Sequence, residues 1–264
     1  MDLGLKGKTA VVSGSTAGIG FAIAAALAAE GAKVVINGRT EARVNSALEK
    51  IRQLHKSADV RGISADLGTA AGVAAFVKQA PEADILINNL GIFEVKPFAE
   101  ISDADWLRFF EVNVLSGVRL SRQYLPGMLK KNWGRIIFIS SESGQQIPAE
   151  MVHYGMTKTA QIAVARGLAE SVAGTAVTVN SVLPGPTASE GVASFVDSMA
   201  KQQNISKAEV EKQFFTTVRP SSLLKRFQTP EEVAAIVAFV ASAQATSING
   251  AAVRAEGGVV RSIL

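Results

Sequence analysis

Short apolar runs rich in β-branched residues alternate along this chain with longer segments in which apolar positions recur every three or four residues. The runs TAVVSG (9–14), KVVING (33–38), VRGISAD (60–66), DILINN (84–89), RIIFISS (135–141), AVTVNSVLPG (176–185) and AAVRAEGG (251–258) predict strands. Between them, helices are predicted near 18–30, 41–56, 69–80, 102–131, 152–173 and 230–242. Strands that alternate with helices form βαβ units, whose crossovers cover both faces of a parallel sheet. The pattern therefore predicts an α/β fold with a doubly wound parallel sheet of about seven strands.

Two segments depart from this rhythm. The helix predicted over 102–131 is long, as an interface or spine helix would be. Residues 187–220 fall between the last two strands and carry helical patterning of their own, which fits either a lid over a ligand site or a surface insertion. No charge run, Pro/Ser-rich linker or repeat divides the sequence, so one domain over 1–264 is expected.

Composition narrows the chemistry. Hydrophobic residues make up 48% and charged residues 19%, as in a globular and not a disordered chain. No apolar run is long enough to cross a bilayer, and MDLGLKGKTAVV enters the first strand without room for a signal peptide, so a cytoplasmic location is expected. With no cysteine, disulfides, thiolate zinc sites, iron–sulfur clusters and cysteine nucleophiles are excluded. Two histidines, His55 and His153, make a histidine-rich metal site unexpected, and no metal is predicted. The net charge of +4 is scattered, and Lys130, Lys131 and Arg135 are expected on a solvated face, not a nucleic-acid footprint.

The first strand runs into SGSTAGIGFAIAAALAAEG, residues 13–31. Here Gly14 permits a tight turn, Gly18 lets the backbone approach a phosphate, and Gly20 allows close packing where the helix N-terminus favours an anion. The spacing is G-x-x-x-G-x-G, not the G-x-G-x-x-G fingerprint. At the end of the second strand, where an acidic residue would bind the ribose 2′-hydroxyl of NAD, the chain reads Ile36-Asn37-Gly38-Arg39. A guanidinium at Arg39, assisted by Arg43, suits a 2′-phosphate, so NADP(H) is favoured and NAD(H) stays possible; the other reading is a solvated arginine at a helix start.

At this point the sequence resembles the short-chain dehydrogenase/reductase superfamily, in its compact single-domain branch, over essentially its whole length. SGSTAGIG resembles the family's T-G-x-x-x-G-x-G loop and Asn88-Asn89-Leu90-Gly91 its N-N-A-G. Asn113, Ser141 and Tyr154-x-x-x-Lys158 match its catalytic set in order and spacing, and Pro184-Gly185-Pro186-Thr187 its P-G-x-T segment beside the nicotinamide. RFQTPEEVAAIVAFVAS and AEGG match its C-terminal pattern. Ser13, Leu90 and Ser189 are departures, as is Ala17 where NADP-preferring members often carry a basic residue. The resemblance implies a Rossmann-type fold with a helical lid before the last helix and strand. It implies cofactor contacts from Gly14, Ser15, Thr16, Gly18, Ile19, Gly20, Arg39, Asp66, Leu67, Asn89, Gly91, Tyr154, Lys158, Pro184, Gly185 and Thr187. A homo-oligomer, tetramer or dimer, built on the long helices is implied as well.

Hydride transfer requires a proton to move to or from the substrate oxygen in the same turnover. Tyr154 is the natural acid/base, and a cation at Lys158, one turn along, is expected to lower its pKa. Ser141, chosen over Ser140 by its spacing to Tyr154, is placed to donate to the substrate oxygen. Asn113 satisfies backbone groups or, by the resemblance, takes part in a water-mediated relay to Lys158. Asp66 is an adenine-edge partner or a helix cap. Phe93, Ser143, Gln145, Met151 and Pro186 are candidates for the substrate pocket, whereas His153 is expected to point elsewhere. The activity so predicted is NADP(H)-dependent interconversion of a small-molecule carbonyl and a secondary alcohol. Alternatives are a non-catalytic NADP sensor or scaffold, and an NAD-dependent alcohol or sugar dehydrogenase. An isomerase with a larger substrate domain does not fit the length, and Gln161 is inconsistent with the two-turn Tyr–Lys spacing of enoyl reductases.

Overall fold

The computed structural model describes residues 1–263, apart from the side chains of residues 194 and 195. The described strands are β1 (Thr9–Val12), β2 (Lys33–Gly38), β3 (Val60–Ser64), β4 (Ile85–Asn88), β5 (Gly134–Ile139), β6 (Val177–Pro184) and β7 (Ala252–Ala255). The helices are α1 (Gly18–Ala29), α2 (Glu41–Leu54), α3 (Ala70–Gln79), α4 (Asp103–Phe110), α5 (Ser116–Lys130), α6 (Val152–Ser171), α7 (Glu190–Gln203), α8 (Lys207–Gln213) and α9 (Pro230–Val240). Every strand predicted from the pattern is present, each two to four residues shorter than its apolar run except the second, whose bounds match, and the fifth, which starts one residue earlier and ends two earlier.

All neighbouring strands pair in parallel, in the order β3-β2-β1-β4-β5-β6-β7. Alternation along each strand explains why both faces are covered. Ala10, Val12, Val34, Ile36, Ile85, Ile87, Ile137 and Ile139 enter one core with α1, α2 and α9. Their neighbours Val11, Val35, Leu86, Ile136 and Phe138 enter the opposite core with α3, α5 and α6. Each fully buried aliphatic side chain contributes about 1.5–3 kcal/mol relative to exposure. The chain reverses its winding between β1 and β4, and a doubly wound sheet binds ligands at such a point, beyond the carboxyl ends of its strands.

The predicted helix 102–131 is present as two α-helices joined by a widened turn. Ser102 and Asp105 form a capping box that starts α4. Over Glu111–Leu115 the ladder takes π geometry, with Ser116 N–H bonding to the Glu111 carbonyl five residues back. Asn113 lies in this turn, fully buried.

Arg135 corrects the expectation of a solvated basic face. It is 2% exposed, at the start of β5. Its guanidinium donates to the carbonyls of Ser242 (3.2 Å), Gly134 (2.9 Å) and Ala176 (3.0 Å) and lies over Trp133 at 4.7 Å. Loop carbonyls from several segments converge there, and a five-donor fork without an acceptor satisfies them. Lys131, in contrast, is on the surface with Glu82 and Asp84.

Candidate active site

The glycine loop leaves β1 through Gly14 at φ 59° and enters α1 through Gly18 at φ 55°, both left-handed values that favour glycine. A Cβ on Gly20 would lie 2.4 Å from the Asn89 amide nitrogen and 2.5 Å from the Gly14 carbonyl oxygen. Gly20 thus lets helix and loop close on each other. Ala17 at the N-cap makes no side-chain hydrogen bond to α1, and its first turn carries no acidic residue. An N-terminus of this kind presents donors and a partial positive charge to an anion. Thr16 and Ile19, both half-buried, flank it, and Thr16 packs where a Cβ on Gly38 would sit.

Two of the predicted cofactor contacts are committed to holding this loop. Ser15 is fully buried; its hydroxyl donates to the Val12 carbonyl at 2.6 Å and accepts from Asn37 N–H at 2.8 Å. The Asn89 amide donates to the carbonyls of Ser13 and Gly14 at 3.0 and 2.8 Å. The side chains of Ser15 and Asn89 therefore shape the cradle from behind. Asn37, which the sequence reading passed over, does the same: its Oδ1 accepts from Gly14 N–H and its Nδ2 donates to the Ile63 and Ala65 carbonyls.

Arg39 is exposed beyond the end of β2. Arg43, one turn into α2, reaches Glu190 at the start of α7 at 3.3 Å in an exposed ion pair. Asp66 is not a helix cap. Its Oδ1 accepts from Gly68 N–H at 3.0 Å, while Thr69 caps α3. Leu67 is 1% exposed and belongs to the core by its side chain. Gly91 lies beside Lys158, where an added Cβ would sit 3.4 Å from its Nζ. Beyond β6, Gly185 passes so close to Glu256 that a Cβ would meet its carbonyl oxygen at 2.5 Å. Pro184 ends the strand, and the buried Thr187 turns back to the Gly185 carbonyl at 2.9 Å.

Ser141, Tyr154 and Lys158 converge where β5 faces the first turns of α6. The two serines turn to different partners. Ser140 Oγ donates to the Lys158 carbonyl at 2.8 Å and is spent on holding α6. Ser141 Oγ accepts from Ser143 N–H at 3.1 Å, and its side chain acts to lower the Tyr154 pKa. The half-buried Tyr154 phenol is pushed up to about 12 by burial, which outweighs the pull of Ser141. Its expected lowering by Lys158 is therefore not what this arrangement produces. Lys158 is 5% exposed, its Nζ lies 5.6 Å from the Tyr154 ring centre, and burial lowers its own pKa to about 7.

Asn113 satisfies backbone groups, the first of its two expected roles. Its side chain clamps the backbone of Ile92, accepting from the N–H at 2.8 Å and donating to the carbonyl at 3.0 Å, and it donates to Thr157 Oγ1 at 3.0 Å. Its carbonyl faces the lysine side, where Gln161 Nε2 donates to it at 2.7 Å. His153 turns away, fully buried against Phe109, with ring centres 4.0 Å apart.

The pocket candidates separate. Phe93, 52% exposed, meets Tyr154 edge-on at 6.4 Å and packs on Gly191 of α7. Met151 and Pro186 are half-buried and Gln145 is exposed. Ser143 is not a pocket side chain: it is 2% exposed, and its hydroxyl donates to Glu142 Oε2 at 2.6 Å. Glu142 and Arg219 were missed as a pair. Arg219 Nε donates to Glu142 Oε1 at 3.0 Å and its Nη1 to Glu150 Oε1 at 3.2 Å, joining the segment after α8 to the loop that bears Ser141. A surface hollow of about 550 Å³ lined by residues such as Glu211, Phe215 and Arg226 shares no lining residue with this cluster. Among the described residues, no group of three or more His, Asp or Glu could hold a metal ion, and no helix is long and apolar enough to cross a membrane.

The geometry has close counterparts. The family model of the short chain dehydrogenases matches residues 8–200. The chain is 49% identical over 263 residues to the uncharacterized oxidoreductase YvaG of Bacillus subtilis, covering 100% of both. It is 34% identical over 260 residues to a D-beta-hydroxybutyrate dehydrogenase of Cupriavidus necator, covering 97% of this chain and 99% of that one. Among solved structures it is similar to the L-sorbose reductase of Gluconobacter frateurii complexed with NADPH and L-sorbose, at TM-score 0.94 and 30% identity over 100% of both chains. The chain belongs to the short-chain dehydrogenase/reductase superfamily and is an oxidoreductase acting on CH–OH or C=O groups.

Proposed function

We propose that this protein interconverts a small-molecule carbonyl and the corresponding secondary alcohol with NADP(H), using Tyr154 as general acid and base. The observation that carries the reading is the convergence of Tyr154, Ser141 and Lys158 beside an uncapped helix start and a glycine-lined cradle. The residues fit a dinucleotide. The N-terminus of α1 suits its pyrophosphate, Gly91 leaves room beside Lys158, and Gly185 brings backbone to the carboxyl end of β6. When bound, the nicotinamide supplies or accepts the hydride.

The chain's own part is to place and move the proton. Tyr154 gives its phenolic proton to the carbonyl oxygen in reduction and takes it back in oxidation. Ser141 accepts from Ser143 N–H and keeps a hydroxyl proton to donate to the same oxygen as charge develops there. A protonated Lys158 stabilises the tyrosinate that remains. Gly38 leaves the end of β2 without a carboxylate, and the exposed guanidinium of Arg39 is the group placed for a 2′-phosphate.

The reading is supported by the family's NADPH-bound neighbour, and one experiment tests it directly. Loss of NADPH absorbance is followed with a panel of ketones, keto acids and ketoses, wild type against Tyr154→Phe. Carbonyl-dependent turnover that collapses in the variant is expected. Unchanged turnover in the variant removes Tyr154 from the mechanism.

A further inference from the structure

Gln161 lies three residues beyond Lys158 on the same face of α6 and is 1% exposed. Its amide is engaged at both ends. Oε1 accepts from Lys158 Nζ at 3.1 Å, and Nε2 donates to the Asn113 carbonyl at 2.7 Å. A primary amide accepts at one atom and donates at another without carrying charge, so it joins an ammonium to a carbonyl that could not otherwise meet through one side chain. The carbonyl belongs to the widened turn Glu111–Leu115, a geometry that displaces carbonyls from their usual helical partners.

The consequence for Lys158 is directional. An ammonium has three donors. One is held by the Ile139 carbonyl at 2.9 Å and a second by Gln161 Oε1 at 3.1 Å. Two fixed bonds about a tetrahedral nitrogen determine where the third N–H points. Ile139 belongs to β5 and is immovable in the sheet, so Gln161 is the group that completes the orientation. We propose that Gln161 is a positioning residue for hydride-transfer chemistry, its side-chain amide locking the Lys158 ammonium to the Asn113 carbonyl and so aiming the lysine's third donor. This inference rests on the oxidoreductase reading of Tyr154 and Lys158 given above.

No carboxylate shares this task. Glu142 and Arg219, from the loop after β5 and the segment after α8, act on Tyr154 and pair with each other. Glu150 joins that pair from the turn before α6. Glu111 of the widened turn pairs with Arg119 of α5, while Asp105 and Arg108 of α4, with Glu94 and Lys96 of the loop after β4, face His153. The charged residue of β5 is Arg135, at its far end, and β4 and β6 contribute none. The ammonium, already disfavoured by burial, is held by neutral dipoles alone.

The test replaces the amide and follows the lysine itself. Gln161→Met and Gln161→Leu remove the acceptor with little change in bulk, and Gln161→Glu puts a carboxylate in its place. The Lys158 side chain is titrated by NMR in isotopically labelled, cofactor-free protein, with Lys158→Met giving the assignment. The expected midpoint falls by about one pH unit or more in the Met and Leu variants and rises in the Glu variant. In carbonyl reduction the Met and Leu variants lose kcat about 10-fold or more, keep the carbonyl KM, and move the alkaline limb of kcat/KM to lower pH. A residue that only fills space would leave the midpoint and the limb at wild-type pH while lowering Tm, and that result overturns the proposal. If no carbonyl is turned over by the wild type, the oxidoreductase mechanism fails, while the NMR midpoints still decide whether Gln161 holds Lys158.

Discussion

On the sheet side of the site, Asn113, Ser140, Thr157, Lys158 and Gln161 are all at most 5% exposed, and each is hydrogen-bonded to backbone or to another member. On the other side, the buried large side chains described in α7 and α8 are Val196 and Val210, with Phe215 buried in the turn after α8. That segment is tied to the site by Arg219, whose guanidinium crosses to Glu142 and Glu150, and to the loop before α9 by the packed rings of Phe214, Phe215 and Phe227. The first side is fixed by many short-range bonds into strand and helix, the second by a charged crossing and an aromatic cluster. Proton transfer requires atoms held to fractions of an ångström, whereas substrate entry requires a surface that can part.

Tyr154→Phe should break the sheet side most severely. A fall in kcat/KM of about 10²–10⁴-fold, with unchanged circular dichroism and cofactor affinity, is expected from steady-state rates and fluorescence titration. Arg219→Met tests the opposite side. It leaves Glu142 buried without its cation, an imbalance that costs about 3–5 kcal/mol in a urea melt, and adding Glu142→Met should return most of that loss. Faster hydrogen exchange confined to α7 and α8 is expected alongside it. If exchange rose equally around Lys158, the two sides would be one mechanical unit and the contrast would be lost.

Arg39→Asp should reverse the dinucleotide preference, lowering NADPH affinity by about 10–100-fold while NADH improves. The pH dependence of folding separates the two sides again. The folded-state pKa of Lys158, about 7, lies below its ordinary value of 10.5. Between those pH values the unfolded chain holds a proton on this lysine that the folded chain has released. Lys158 therefore makes stability rise with pH in that window, at no more than about 1.4 kcal/mol per pH unit. Lys158→Met should flatten this rise in urea melts of the cofactor-free protein at pH 7, 8 and 9. Arg43→Ala is expected to matter least. Its pair with Glu190 is exposed on both sides, so a change of under about 1 kcal/mol, abolished by 0.5 M salt, is the outcome.

The strands were legible because the central ones are apolar on both faces, and the glycine loop because Gly14 and Gly18 adopt left-handed φ values that few other residues tolerate. Ser141, Tyr154 and Lys158 were legible as a set through their spacing. What the sequence concealed depends on partners distant in the chain. Gln161 meets Asn113 across 48 residues and Arg219 meets Glu142 across 77, so neither pairing leaves a local pattern. Its position one turn after Lys158 was the available signal for Gln161. Asp66 looked like a cap because its true competitor, Thr69, is only three residues away. Tyr154 was expected to be acidified by its lysine because spacing reports proximity but not burial, and burial is the larger effect here. Arg135 was misplaced for the same reason, since a charged residue at a strand start reads as surface until the carbonyls around it are known.

That buried arginine separates two properties that proteins often trade against each other. Arg135 occupies the amino end of β5, and Ser140 and Ser141 follow its carboxyl end, about 20 Å away at the usual rise of a strand. The guanidinium bolts the strand to the loops before β6 and after α9, and β4 and β6 flank it in register on either side. These contacts restrain the strand whose far end leads into Ser141. Changes made at the bolted end should therefore raise or lower the melting temperature while leaving turnover alone. The molecule's durability and its reactivity are adjustable from opposite ends of a single strand.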